Sequence, residues 1–406
     1  MLARRIARGD IPLVTTSPTA GPRTAIAWSA FLGVSWTWCI GMFLPVLLVR
    51  DFGVAGFFVF AIPNIVGAAI MGRTLPSAQS SRQFVDRHRT ACAAFSAVTI
   101  LFHLFFLAWV AHGLIGPTAY LIAAGFLVIM LPTFLSQPLT LVLSWLLLAG
   151  SLVAFADVAI RAPDAMEQIH PFGTQPPLNL LGLTLVCILG FSLCPYLDLT
   201  FHRARQATSP QGGVVAFNVG FGGCFAAMIF FTLWYSHLLD PARWNQVPRP
   251  IAWAIVLHMC AQSAFTIAAH LRSLAMQWTP ETRRGTMLGG LAAMSPLILW
   301  HILGADQRSS ETIYRLFMGF YGLVFPAYLW ICMTGVSRRS ITVLAMVVIA
   351  CAPMFWLGFI DEKMLWLIPG VALLLLARRF TSAGPLRVPE TGVPNVPRHA
   401  RTTDAR

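Results

Sequence analysis

The sequence predicts an all-α polytopic membrane protein with about 12 transmembrane helices and both termini in the cytoplasm. Of its 406 residues, 57% are hydrophobic and only 11% are charged, against about 25% charged residues in an ordinary soluble domain. A chain this apolar cannot hide its surface in one water-soluble core. Its apolar residues also fall into successive runs of about 20, the length that a helix needs to cross roughly 30 Å of hydrocarbon.

These runs divide the chain into a cytoplasmic N-terminal segment (1–25), a transmembrane bundle (26–380) and a disordered, basic C-terminal tail (381–406). Pro132 and Pro138 predict a turn between the fourth and fifth runs, which otherwise nearly merge. The predicted spans are 26–48, 53–72, 91–113, 117–135, 137–158, 177–200, 213–237, 250–273, 285–304, 311–335, 340–359 and 363–378.

The distribution of positive charge supports this topology. The formal charge is +13, but the arginines lie at the ends of the apolar runs and not in one basic patch. With the N-terminus inside, the loops that alternate to the cytoplasm carry most of the arginines, as positively charged loops do. We therefore interpret the charge as a topology signal and not as a nucleic-acid-binding surface. We expect a multi-pass protein of the inner (plasma) membrane of a bacterial cell.

The eighth span carries the densest set of polar residues. His258, Gln262, Thr266 and His270 recur every four residues, with Ser263 beside them, so they form one polar stripe along the helix. Such a stripe cannot face lipid, where its polar groups would stay unsatisfied. It is either a set of hydrogen bonds between helices or the lining of a substrate or ion pathway.

Two spans look interrupted, the first and the sixth. Their small, polar or helix-breaking residues are Gly33, Ser35, Thr37 and Gly41 in the first span, and Gly190, Ser192, Pro195 and Asp198 in the sixth. Proline removes a backbone donor and clashes with the preceding turn, so the sixth helix should kink or open. Backbone groups freed at bilayer depth are tolerated only where they line a cavity or find partners. The alternative is an ordinary proline kink.

Three further positions have two interpretations each. His103 in the third span is either a packing residue or a partner of His258 across the bundle. Asp198 either forms an ion pair at the helix end with Arg203 and Arg205, or it is a protonatable coupling residue. Glu311 and Arg315 have the i,i+4 spacing of an ion pair on one helix face, and they form either an interfacial anchor or an outer gate.

Taken together, the two interrupted helices, five spans apart, resemble the 5+5 inverted repeat plus 2 of the LeuT-fold (amino acid–polyamine–organocation) superfamily. Pro195-Tyr196-Leu197-Asp198, followed by a basic stretch and a Gly-rich seventh span, resembles nucleobase–cation and sodium–solute symporters. The resemblance implies that the broken first and sixth helices hold substrate and that the third, eighth and tenth line the pathway. It also implies a sodium site at Ser263 and Thr266.

These patterns predict a secondary active transporter that moves a small solute by alternating access, coupled to sodium or protons. We expect no catalytic residues and no cofactor other than a sodium ion; the partners are the lipid bilayer and the solute, with no nucleic acid. The predicted pathway residues are Gly33, Ser35, Thr37, His103, Gly190, Ser192, Asp198, His258, Gln262, Ser263 and Thr266, with a gate at Glu311 and Arg315. The alternatives are a membrane-embedded transferase-type enzyme, a structural or sensory membrane subunit, and a major-facilitator transporter.

Overall fold

The computed structural model describes residues 22–134 and 136–381, and all regular structure in these ranges is helical. The predicted tail and most of the predicted N-terminal segment lie outside the described residues. The principal helices are α1 (Pro22–Trp36), α2 (Cys39–Phe52), α3 (Val54–Thr74), α4 (Ala78–Ile115), α5 (Thr118–Met130), α6 (Gln137–Arg161), α7 (Asn179–Leu193), α8 (Leu199–Gln206), α9 (Pro210–Tyr235), α10 (Arg249–Met276), α11 (Pro280–Leu303), α12 (Gln307–Cys332), α13 (Arg338–Phe359) and α14 (Leu367–Ala377).

Each predicted span coincides with one of these helices or with a broken pair of them. Within the described ranges, nine helices are long and apolar enough to cross a membrane, or ten if the bent pair α1 and α2 is one span. The chain is therefore a multi-pass membrane protein. The helices α5 and α14 are shorter, so the number of 12 spans stays a prediction, as does the cytoplasmic position of the termini.

Several helices begin where the sequence supplies a capping side chain. Ser77, Ser136 and Asp306 each accept a hydrogen bond from the backbone amide three residues ahead, at the starts of α4, α6 and α12. Such side chains satisfy one of the amides that a helix start leaves free. The predicted turn between the fourth and fifth spans is present as a 3-10 turn at Leu131–Phe134.

Among the nine long apolar helices of the described chain, α10 is the most buried. Of its most apolar 18-residue stretch, 83% is buried inside the protein, against 17% for α11. On the periphery, Gly285 and Gly289 of α11 lie against the carbonyl oxygens of Thr90 and Ala94 in α4, where a Cβ would overlap backbone. These glycines thus permit close helix packing. All eight cysteines are buried and free, as expected for packing residues.

Both predicted interruptions are present. α1 and α2 meet at a 55° bend around Thr37 and Trp38. α7 ends at Leu193, and a 3-10 turn that contains Pro195 leads into α8. The two breaks are adjacent, since the hydroxyl oxygens of Ser35 and Thr200 lie 3.4 Å apart. The first and sixth spans are therefore discontinuous side by side in the interior of the bundle.

Candidate functional site

The break in the first span is capped by His103 from α4. The backbone amide of Cys39, the first residue of α2, donates to Nε2 of His103 at 3.3 Å, and Nδ1 of His103 donates to the carbonyl oxygen of Thr99 at 2.7 Å. The second bond orients the ring so that Nε2 accepts. A helix start leaves backbone amides without partners, and His103 supplies one acceptor. His103 and His258 do not share a contact within the described chain.

Two side chains at this break donate hydrogen bonds to backbone carbonyl oxygens of the preceding turn. The hydroxyl of Thr37 donates to the carbonyl oxygen of Gly33 at 2.9 Å, and the indole Nε1 of Trp38 donates to the carbonyl oxygen of Ser35 at 2.5 Å. Gly33 lies against α9, where a Cβ would come within 2.7 Å of Cβ of Cys224. Gly33 therefore permits close packing, while Ser35 and Thr37 lie at the unwound turn.

Asp198 lies at the second break and serves as the N-cap of α8. Its Oδ1 accepts hydrogen bonds from the amide and the hydroxyl of Thr200, both at 2.7 Å. Its Oδ2 has no hydrogen-bond partner and lies 3.9 Å from Nε2 of His270, which also has none. Both side chains are fully buried. Nδ1 of His270 is 3.1 Å from the hydroxyl of Ser96.

The predicted ion pair of Asp198 with Arg203 and Arg205 is wrong. Arg203 donates to the side-chain oxygen of Gln137 at 2.8 Å, and Arg205 donates to the carbonyl oxygen of Leu75 at 2.6 Å. The physical reason is the capping role of Asp198, because an N-cap carboxylate folds back over the first amides of its helix. It therefore does not reach arginines in the last turn.

The polar stripe of α10 faces the bundle interior. His258, Gln262, Ser263, Thr266 and His270 are all 4% exposed or less. Ser151 of α6 holds the N-terminal part of the stripe, because its hydroxyl lies 3.0 Å from Nδ1 of His258 and 2.8 Å from Nε2 of Gln262.

Part of this stripe has no partner. Five atoms are buried without a hydrogen bond: Nε2 of His258, Oε1 of Gln262, Oγ of Ser263, Oγ1 of Thr266 and Nε2 of His270. Buried polar atoms are normally bonded. The stripe is thus partly a set of bonds between helices, and partly an unsatisfied polar surface beside the two breaks.

A cavity lies between the two breaks and the predicted outer end of the bundle. Its walls are mainly apolar or aromatic and include Trp36, Trp38, Phe191, Tyr314 and Tyr321. The open space between them, including the part that meets solvent, is about 840 Å³. The cavity is therefore a largely apolar cleft.

The sequence-predicted residues contribute little to this cleft. Gly190 borders it, and the carbonyl oxygen of Tyr321 lies 2.8 Å from where a Cβ of Gly190 would stand. Ser192 is exposed and does not line it, so its place in the pathway stays a prediction that this cleft does not support. Ser192 is two residues after Gly190 in α7, and a helix rotates by about 200° over two residues. Its side chain therefore lies on the face opposite Gly190.

An ionic cluster lies over the outer end of the cleft. Arg315 pairs with Glu311 at 2.8 Å, Glu362 at 3.0 Å and Asp51 at 3.2 Å. Arg50 binds both carboxylate oxygens of Glu311, at 2.8 and 2.9 Å. The predicted i,i+4 pair is therefore present, and the cluster joins the end of α2, the start of α12 and the loop after α13.

The described residues contain no group of three or more His, Cys, Asp and Glu side chains that could hold a metal ion. No protein-family model matches the chain. No curated protein matches it either. Three solved structures of a manganese transporter from Eremococcus coleocola, one in complex with an aromatic bis-isothiourea substituted compound and two of single-residue mutants, are each 12% identical to it. The match covers 89% of this chain and 92% of the other, with a TM-score of 0.39. A likeness at this level supports no conclusion about the function of this chain.

Proposed function

We propose that the protein is a secondary active transporter that moves a small solute by alternating access. The observation that carries this proposal is the adjacency of the two helix breaks in the bundle interior, with the buried, unsatisfied polar edge of α10 beside them. Discontinuous helices in corresponding positions of two repeats are the best sequence indicator of a transporter binding site. Helix breaks at bilayer depth are tolerated only where they line a protein cavity or find partners, and both breaks here lie inside the bundle beside the cleft.

The cleft is the proposed solute site. Its aromatic and aliphatic walls favour a solute with an apolar or aromatic body, since such pockets bind by burying apolar surface. The unwound turn forms one edge of the site through Trp36 and Trp38, which line the cleft. In this proposal Glu311 and Arg315 form the outer gate, because their cluster ties α2 to α12 above the cleft.

The coupling ion has two candidate sites. Ser263 and Thr266 have unpaired buried hydroxyl oxygens, which suit sodium because hard cations prefer oxygen ligands. Asp198 and His270 face each other with one unpaired atom each, and this geometry suits a shared proton. The Asp198–His270 pair lies at the breaks, since Asp198 is the N-cap of α8 and the ring of His270 packs on Trp38. Ser263 and Thr266 lie on the same helix as His270.

The enzyme alternative has less support. A membrane transferase would need available carboxylates or a histidine–aspartate cluster at one membrane face. At the outer face, Asp51, Glu311 and Glu362 are instead paired with Arg50 and Arg315.

The proposal is tested by reconstitution. Proteoliposomes that contain the full chain are incubated with a mixture of small organic solutes under an imposed sodium or proton gradient, and the trapped solutes are identified by mass spectrometry. We expect at least one solute to accumulate against its gradient and to be released when the ion gradient is dissipated. Equal trapping by protein-free liposomes for every solute would contradict the proposal.

Spin-label distances provide a second test that needs no known solute. One label pair replaces the exposed residues Glu167 and Arg308 at the outer end, and another replaces Arg82 and Arg338 at the inner end. Alternating access predicts two populations of label-to-label distance at each end. The long distance at the outer end should occur in the same state as the short distance at the inner end. A single fixed distance at both ends, with and without ion gradients or solutes, would contradict it.

A further inference from the structure

Three buried hydrogen-bond donors lack an acceptor at the N-terminus of α6, the end of this helix that the charge distribution predicts to be cytoplasmic. They are Nη1 of Arg203, Nε of Arg272 and Nε2 of Gln137. All three are donors, two of them belong to charged groups, and the arginine side chains are 8% and 6% exposed. Buried donors of charged groups are costly to leave unpaired.

The two guanidinium groups are held on the same turn of α6. Arg203 donates to Oε1 of Gln137 through Nε at 2.8 Å and also through Nη2. Arg272 donates through Nη1 to the hydroxyl of Thr140 at 3.0 Å and to the carbonyl oxygen of Thr133. Gln137 and Thr140 are three residues apart and lie on one face of the helix. We call these residues the Arg203–Arg272 cluster.

Negative charge is missing from this cluster. No salt bridge joins either guanidinium to a carboxylate in the described part of the chain, and the two positive charges repel each other. The ring centres of Phe31 and Trp28 lie 5.3 and 5.9 Å from the Arg203 guanidinium carbon. Aromatic rings attract a cation, so they offset part of the positive charge, but they supply no negative counter-charge. The N-terminus of α6 adds a partial positive charge of its own.

We propose that the Arg203–Arg272 cluster binds a phosphate group, supplied by an anionic lipid headgroup or by free phosphate. Arginine and helix N-termini are the groups that proteins use for phosphate, and basic pockets between transmembrane helices on the cytoplasmic side bind lipid headgroups. The carboxamide oxygen of Gln137 is the neutral acceptor that Arg203 uses now, and an entering phosphate oxygen takes its place. The site does not depend on the proposed transport function.

Thermal unfolding of the purified, delipidated full chain tests the proposal. The probes are phosphatidylglycerol, phosphatidylcholine and inorganic phosphate, added separately, with native mass spectrometry to detect bound molecules. If a lipid headgroup is the ligand, we expect phosphatidylglycerol to raise the Tm by about 3 °C or more beyond phosphatidylcholine. If free phosphate is the ligand, inorganic phosphate gives the same rise. A wild type that responds equally to phosphatidylglycerol and phosphatidylcholine, and not at all to phosphate, overturns the proposal.

Three variants locate the site. Arg203→Gln should abolish the anion-specific shift, whereas Arg284→Gln, at an exposed arginine on the same predicted side, should keep it. Gln137→Glu places a carboxylate against the Arg203 guanidinium, so it should raise the Tm without any anion and reduce the shift that the anion produces. This variant keeps the test decisive if Arg203→Gln does not fold. A Gln137→Glu protein with a lower Tm and an unchanged anion shift would overturn the proposal.

Discussion

The imidazole of His103 accepts the hydrogen bond of the first backbone amide of α2, at 3.3 Å from the nitrogen of Cys39. The amide is free because the chain unwinds at Thr37 and Trp38 and then starts a new helix. A histidine on α4 therefore stabilises a discontinuity in the first span. The carbonyl oxygen of the same residue, Cys39, accepts a hydrogen bond from the hydroxyl of Tyr314 at 3.1 Å, so the break is held from α4 and α12 together.

His103→Phe should lower the free energy of unfolding by about 1–3 kcal/mol, because the ring volume is kept while a buried amide loses its acceptor. The measurement is thermal unfolding in detergent, followed by tryptophan fluorescence. His112→Phe serves as the control, since His112 lies at the outer end of the same helix and stacks on Tyr120. Equal stability of the two variants would mean that His103 does not support the break.

Arg315→Met should open the outer end of the cleft. The substitution leaves Asp51, Glu311 and Glu362 with Arg50 as their remaining cation in the cluster, so their repulsion separates α2 from α12. We expect the buried thiol of Cys187, which lines the cleft, to react several times faster with a membrane-impermeant maleimide, as read by peptide mass spectrometry.

Arg161→Met is the control for the gate prediction. Arg161 pairs with Asp157 at 2.8 Å, but both side chains are more than a third exposed, and exposed pairs contribute little to stability. This variant should leave the reactivity of Cys187 unchanged. Wild-type reactivity in Arg315→Met would remove the gate role from Glu311 and Arg315.

Gly190→Ala should destabilise the protein by about 1–3 kcal/mol, because overpacking a close helix contact forces backbone to move. The added Cβ would stand 2.8 Å from the carbonyl oxygen of Tyr321, so α7 and α12 would have to separate beside the cleft. Gly319→Ala on α12 meets no atom within 4 Å and is the control. Thermal unfolding of both variants is the measurement, and only Gly190→Ala should lower the Tm. An equal change in Tm for Gly190→Ala and Gly319→Ala would contradict the prediction.

The elements that the sequence predicts well are those that depend on local properties. Runs of about 20 apolar residues locate the helices, and Pro195 locates the second break, because neither depends on which helices become neighbours. The stripe on α10 is predicted for the same reason: its spacing of four determines one helix face, and lipid excludes that face from the surface.

The partners across the bundle are not predicted. His270 was recognised as part of the stripe but not as the residue opposite Asp198, and Ser151 was not recognised as the partner of His258 and Gln262. These contacts depend on how far α6, α8 and α10 rotate about their axes, which spacing within one helix does not determine. The repeat of Ser144 and Ser151, seven residues apart in α6, was the available signal for a polar face there.

Asp198→Asn should abolish solute accumulation driven by a proton gradient if the Asp198–His270 pair carries the proton. Asparagine is as good an N-cap as aspartate, so α8 keeps its start and the Tm should change little. Uptake by proteoliposomes is measured with a solute found in the reconstitution experiment. Asp306→Asn, at the exposed N-cap of α12, is the control and should retain full accumulation. Undiminished proton-driven uptake in Asp198→Asn would exclude the pair as the coupling site.

A sodium site at Ser263 and Thr266 predicts that the wild-type protein unfolds at a higher temperature in sodium chloride than in potassium chloride at equal ionic strength. Ser263→Ala and Thr266→Ala should each remove this difference, because each deletes one unpaired buried oxygen and sodium needs several oxygen ligands at once. Ser295→Ala removes an exposed hydroxyl that bonds only to the backbone of its own helix, so it should keep the wild-type response. A wild type that does not distinguish sodium from potassium would remove Ser263 and Thr266 from the coupling mechanism. The candidate coupling site would then be the Asp198–His270 pair, because Oδ2 of Asp198 and Nε2 of His270 face each other at 3.9 Å and both can titrate.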